Sequence, residues 1–170
     1  NGISKLWELN LSTKALEDVA LSLGSDTLFC LYQKPAYVFG RGEHLEFLKY
    51  PRAESIFLYY PNIISETPYI FKHHKIKDNN TYFNHVLEAY KNKDWDKFYK
   101  ITYNDLLDTA LGCYPELHNA YSIMKNIDEN CMMSGSGSTF FIINSCQEDD
   151  EILKKAEKSN VYLMKTRLKA

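Results

Sequence analysis

"SIFLYYP", residues 55–61, is a short apolar run that stops at a proline. A run of this length without polar alternation reads as a strand covered on both faces, and so as a central strand of a sheet. The rest of the chain sorts around it. After Pro61 the apolar residues fall at helical spacing: Phe83, Val86, Leu87 and Tyr90 in one stretch, then Trp95, Phe98 and Tyr99, then Leu106, Leu107, Ala110 and Leu111. Pro115 suits the first turn of a further helix carrying Leu117, Ala120, Tyr121 and Met124. The aromatic stripes on these helices read as core faces. "TFFIIN" (139–144) is a second strand and "VYLMKTRL" (161–168) a last one. Between them the acidic run "QEDDE" opens a helix that ends in lysines, the charge order that a helix dipole favours.

Upstream of the central strand the pattern differs. Ile3, Leu6 and Trp7 already follow an i, i+3, i+4 spacing with no cap before them, so the chain reads as a fragment that begins inside a helix. Ser12 or Thr13 caps a second helix, with an apolar face of Leu16, Val19, Ala20 and Leu23 and a stop at Gly24. "LFCLY" (28–32) and "AYVF" (36–39) read as strands of a hairpin around Lys34-Pro35, and "GRGEHLEF" (40–47) turns the chain again. The order is mixed α and β, with a break near Tyr50-Pro51.

Composition bounds the function. Of the 170 residues 45% are hydrophobic and 25% charged, enough for a real core. Twenty Lys and Arg against 22 Asp and Glu leave a net charge of −2, which gives no electrostatic case for a nucleic-acid or membrane surface. No apolar run approaches the ~20 residues that a membrane-spanning helix needs. Cys30, Cys113, Cys131 and Cys146 form no close pair, so they read as reduced thiols of a cytoplasmic-type protein. The five histidines are scattered, and adjacent His73 and His74 point apart on regular structure, so no metal site is expected.

Three stretches can carry chemistry. Asp26 follows the helix stop at Gly24, where a carboxylate can be held rigidly as a general base, or can simply bond the backbone of its own turn. "SETPYIFKHH" (65–74) places Thr67, Pro68 and Phe71 just past the central strand, where sheet proteins bind ligands; it also reads as a helix start capped by Ser65 or Thr67. Ser134-Gly135-Ser136-Gly137-Ser138 can form a backbone anion nest or a tight turn. It has neither the lysine of a Walker loop nor the third glycine of a dinucleotide fingerprint.

Taken in order, "LWELNLSTKALEDVALSLGSDTLFCL" with "GRGEHLEFL", "YYPNIISETPYIF", "YNDLLDTALGCYPEL" and "MMSGSGSTFFII" resemble the GHMP kinase family. The resemblance covers nearly the whole chain. It implies an α+β fold: residues 1–52 as the end of the family's N-terminal lobe, and 53–170 as its ferredoxin-like C-terminal lobe. It implies ATP, with Mg2+ carried by the nucleotide, and transfer of the γ-phosphoryl group to the 2-hydroxyl of a cytidine-diphosphate methylerythritol in non-mevalonate isoprenoid synthesis. Asp26 falls on the family's catalytic base, although its surroundings read Gly24-Ser25-Asp26-Thr27-Leu28, with serine and leucine where the family has alanine and proline. Thr67, Pro68 and Phe71 fall on the substrate-side segment, and Ser134 to Ser138 on a glycine-rich loop that supports the nucleotide site. The family's ATP loop would lie upstream of Asn1. The resemblance therefore implies a fragment inactive by itself, with an apolar face open to self-association. A non-catalytic cytidylyl-binding module and another GHMP kinase, such as one for homoserine or mevalonate, are the competing readings.

Overall fold

The computed structural model describes residues 2–49, 55–76, 80–144 and 149–167. Tyr50-Pro51, Cys146, the Gln147-Glu148 part of the acidic run and Leu168 lie outside them. The chain forms two compact units, Asn1–Pro51 and Arg52–Ala170.

The first unit begins with α1 (Gly2–Leu6) and α2 (Thr13–Leu23). Ser12 caps α2 by accepting the Ala15 N–H, and Gly24 ends it, as the sequence indicates. Its expected apolar face is only partly covered: Ala20 is buried, but Val19 and Leu23 are 53% and 73% exposed. With Leu6 and Trp7 they leave apolar surface open to solvent.

Residues 28–32 are not a strand. They belong to α3 (Thr27–Tyr32). Leu28 is buried and Leu31 and Tyr32 half-buried, while Phe29 and Cys30 face solvent. That i, i+3, i+4 pattern is helical, and a five-residue apolar run does not show it clearly enough to overrule strand propensity. Tyr32 donates its hydroxyl to the Glu17 carboxylate on α2, and its ring meets Phe47 edge-on at 5.0 Å. The hairpin also sits elsewhere: Lys34-Pro35 joins α3 to β1 (Ala36–Phe39), and the turn is Gly40–Glu43, leading into the antiparallel β2 (His44–Phe47).

The second unit starts with β3 (Ser55–Tyr59), continues through α4 (Thr67–His73), α5 (Asn80–Lys91), α6 (Trp95–Ile101), α7 (Leu107–Cys113) and α8 (Leu117–Ile127), and then forms β4 (Met132–Met133), β5 (Phe140–Asn144), α9 (Asp149–Lys158) and β6 (Met164–Arg167). The sheet order is β4-β5-β3-β6, antiparallel throughout. This is the βαββαβ arrangement of a ferredoxin-like domain, its first crossover enlarged to five helices. β3 is interior as expected. Phe57 pairs with Ile142, and Tyr59 with Phe140, which in turn pairs with Met133. These partners share the face against which α7, α8 and α9 deliver Ala110, Leu117, Met124, Ile127 and Ile152. At its burial the hydrophobic effect contributes about 1.5–3 kcal/mol for each large side chain.

Tyr90, Trp95 and Phe98 form edge-on pairs 5.3–6.2 Å apart between α5 and α6, so this aromatic stripe is packing. Asp149 is more than a helix-start charge. It accepts the Ser55 hydroxyl at 2.8 Å and pairs with Lys165 at 2.6 Å, pinning α9 to β3 and β6.

Candidate active site

The turn that carries Asp26 is built from backbone. The Thr27 N–H donates to Gly24 O at 3.3 Å and the Cys30 N–H to Asp26 O at 3.0 Å, so α2 passes into α3 within three residues. Asp26 stands at the N-cap position of α3, yet its carboxylate makes no cap bond and is exposed. The alternative of an aspartate spent on its own turn is therefore not what the structure holds. The turn is braced by the β1–β2 hairpin: Gly42 is buried, with φ +103°, and a Cβ placed on it would stand 1.9 Å from Ser25 O. Only glycine permits both that approach and that φ. Beside it, Glu43 accepts the Arg41 backbone N–H. Bonds from the Glu43 and Arg41 backbone N–H groups hold the Glu43 carboxyl below the usual range. A depression of about 410 Å³ lined by Gly24, Ser25, Arg41 and Glu43, among others, adjoins the turn.

The other two stretches meet each other in the second unit. β3 ends beside the start of β5 and the end of β4, so the segment after β3 and the β4–β5 connection emerge at one end of the sheet. That connection is Ser134–Ser138, closed by Ser134 N–H to Thr139 O at 2.8 Å and Gly137 N–H to Ser134 O at 3.0 Å. Gly135 and Gly137 have φ of +54° and +90°. Ser65 donates its hydroxyl to Ser136 O at 2.7 Å, and the Thr67 and Ser136 hydroxyls lie 2.7 Å apart. Ser138 is 4% exposed and gives its hydroxyl to Ile63 O, so it fastens the loop rather than facing solvent.

Neither Ser65 nor Thr67 caps α4. The cap position is Glu66, whose backbone N–H donates to the Tyr114 hydroxyl at 3.1 Å, and Pro68 sits in the first turn. The two hydroxyls turn to the loop instead. Ile70 is fully buried and sets which face of α4 is inward. Thr67 and Phe71, four residues apart, share another face, and Phe71 is 60% exposed. At the far end His74 bonds Thr109 through Nδ1 (3.0 Å) and Asp105 through Nε2 (3.1 Å), while His73 turns back to Tyr69 O. The adjacent histidines do point apart. α4 is thus fixed at both ends.

One residue of this site escaped the sequence reading. Asn104, between α6 and α7, donates its Nδ2 to Met133 O (2.8 Å) and Gly135 O (2.7 Å), and its Oδ1 accepts the Leu106 N–H (2.9 Å). The signal was there as a turn-forming asparagine inside an otherwise helical stretch. Among the described residues no group of three or more His, Cys, Asp or Glu side chains is placed to hold a metal ion. No helix among them is long and apolar enough to cross a membrane.

Comparison with known proteins bears on the whole chain. A Clostridioides difficile (strain 630) protein named 4-diphosphocytidyl-2-C-methyl-D-erythritol kinase is 32% identical over 161 residues, 91% of this chain and 53% of the relative. The chain is related to the 4-diphosphocytidyl-2-C-methyl-D-erythritol kinases. The resemblance to GHMP kinases read from its motifs stands. A crystal structure of 4-(cytidine 5'-diphospho)-2C-methyl-D-erythritol kinase superposes with a TM-score of 0.71 at 23% identity. It covers 99% of this chain and 61% of the solved one, so the fold is shared. The chain spans about half the length of the curated relatives it matches. No family model matches it.

Proposed function

We propose that the protein carrying these residues phosphorylates the 2-hydroxyl of 4-diphosphocytidyl-2-C-methyl-D-erythritol, with ATP as donor, in isoprenoid precursor synthesis. The observation that carries this reading is the similarity to kinases of that name along 91% of the chain. The geometry supports a division of labour. Asp26, exposed and unbonded at a braced turn, serves as the general base. As the hydroxyl oxygen bonds to the γ-phosphorus and the bond to the bridging oxygen breaks, the carboxylate takes the hydroxyl proton. Thr67, Pro68 and Phe71 form the substrate face, with the exposed Phe71 ring free to stack on the cytosine. Ser134 to Ser138 support the nucleotide side, and Mg2+ arrives on the ATP. Residues 1–52 act as part of the catalytic lobe and 53–170 as the C-terminal domain.

The finer expectation is that these 170 residues bind the cytidylyl group but do not turn over ATP alone, since the glycine-rich ATP loop of the family they resemble has no counterpart among them. Uncovered Val19 and Leu23 favour self-association of the isolated chain. Phosphorylation of the substrate is measured with radiolabelled ATP for the complete enzyme and for Asp26→Asn. The expected fall in kcat is about 10²–10⁴-fold, the usual contribution of a general base. An unchanged kcat removes Asp26 from the chemistry. Cytidine diphosphate titrated into the isolated chain is expected to bind, and sustained product formation by that chain would overturn the expectation of inactivity.

A further inference from the structure

The Ser134–Ser138 loop is held by its carbonyl side. Asn104 Nδ2 bonds Met133 O and Gly135 O together, and the Leu106 N–H on Oδ1 fixes which way the amide faces. Ser65 holds Ser136 O, and the Gly137 N–H holds Ser134 O. In a trans peptide the N–H points opposite to the C=O of the same unit. Tying Gly135 O to Asn104 therefore turns the Ser136 N–H away from the Asn104 side. That N–H has no acceptor among the described residues. Gly135, with φ +54°, lets the chain make the turn at no steric cost.

We infer that Asn104, assisted by Ser65, is the positioning residue that presents the Ser136 N–H of this loop to the diphosphate of a bound nucleotide. Asn104 itself touches no ligand; it acts through the loop. The inference rests on the function proposed above, which makes a nucleoside diphosphate group the loop's neighbour. A backbone N–H without an internal acceptor is a donor left available to an anion. Without the two Asn104 bonds, the Gly135 carbonyl is free to rotate, and the Ser136 N–H rotates with it.

The test uses the 170-residue chain and two variants. Asn104→Asp keeps the shape and the acceptor for Leu106 but places oxygen against two carbonyl oxygens. Ser65→Ala removes the second hold and adds nothing that must be buried, so it serves if the first variant fails to fold. Amide hydrogen exchange is read at Gly137, which is bonded within the loop, and at Ile142 in the core strand. Affinities are read for cytidine diphosphate against cytidine and for ADP against adenosine, which tells the two sources of a diphosphate apart. In Asn104→Asp, protection at Gly137 is expected to fall about tenfold with Ile142 unchanged, and the diphosphate's advantage over its nucleoside to fall about tenfold. Equal losses at Gly137 and Ile142 would reduce Asn104 to general packing and overturn the inference, as would an unchanged diphosphate advantage. Failure of the wild-type chain to bind either diphosphate would instead overturn the expectation that these 170 residues hold the cytidylyl group, and the exchange data would still decide whether Asn104 holds the loop.

Discussion

Thr67 Oγ1 lies 2.7 Å from Ser136 Oγ, joining residues 69 positions apart. One hydroxyl belongs to the first turn of α4 and the other to the glycine-rich loop, so any ligand stacked on Phe71 and bonded to the loop meets a single connected surface. Thr67→Val keeps the shape and removes the bond. For an exposed neutral hydrogen bond the loss in stability is expected to stay under about 1 kcal/mol. Affinity for cytidine diphosphate, measured by calorimetry, is expected to fall several-fold. A fall in melting temperature with unchanged affinity would make the bond purely structural.

Two glycines separate steric need from helix propensity. Gly42→Ala drives a Cβ into Ser25 O at 1.9 Å and keeps φ at +103°. A clash with backbone relaxes only by moving the turn, and the expected cost is at least about 3 kcal/mol by denaturant midpoint. Gly112→Ala, in α7 with nothing within 4 Å, is expected to stabilise by about 0.5–1 kcal/mol. Equal effects would refute the packing described at Gly42.

The thiols should react in a fixed order. Cys30 is exposed, whereas Cys131 is 3% exposed and burial raises its thiol to about 11. At pH 8 only about one Cys131 in a thousand is a thiolate. Alkylation followed by mass spectrometry is expected to modify Cys30 first and to leave Cys131 intact until the chain is unfolded. Early modification of Cys131 would contradict its packing beneath the sheet.

Glu43 gives the hairpin an acid limit. Its folded carboxyl is held below the ordinary 4.5 by backbone N–H groups, so the bonded form is the ionised one. Its stabilisation is complete above 4.5 and is lost as pH falls through the lower folded value. The Arg41 amide resonance is expected to titrate with a midpoint below 4.5 and to stop titrating in Glu43→Gln. A midpoint at or above 4.5 would show that the Glu43 bonds do not persist in solution.

Much of the architecture was legible where packing follows periodicity. α2, α5 and α8 announce themselves by i, i+3, i+4 spacing, and the unbroken apolar run of β3 gives its interior place. The run at 28–32 misled because five apolar residues satisfy strand propensity and helical burial equally well, and the choice is made by Tyr32 reaching Glu17 and Phe47. At the site, Thr67 and the glycine loop were visible separately. Their contact was not, because it depends on how β3 and β5 register. Asn104 was hidden for the same reason: its partners Met133 and Gly135 lie 29 and 31 residues on, and a turn asparagine in sequence carries no address for its amide.

At Gly42 two main chains meet with no side chain between them. The location of Asp26 is consequently set in part by main chain meeting main chain, and not only by the side chains that pack α2, α3 and the hairpin. The same contact leaves position 42 with a vocabulary of one residue. Whether a related sequence retains this seat for its carboxylate can be judged there, at a residue that performs no chemistry.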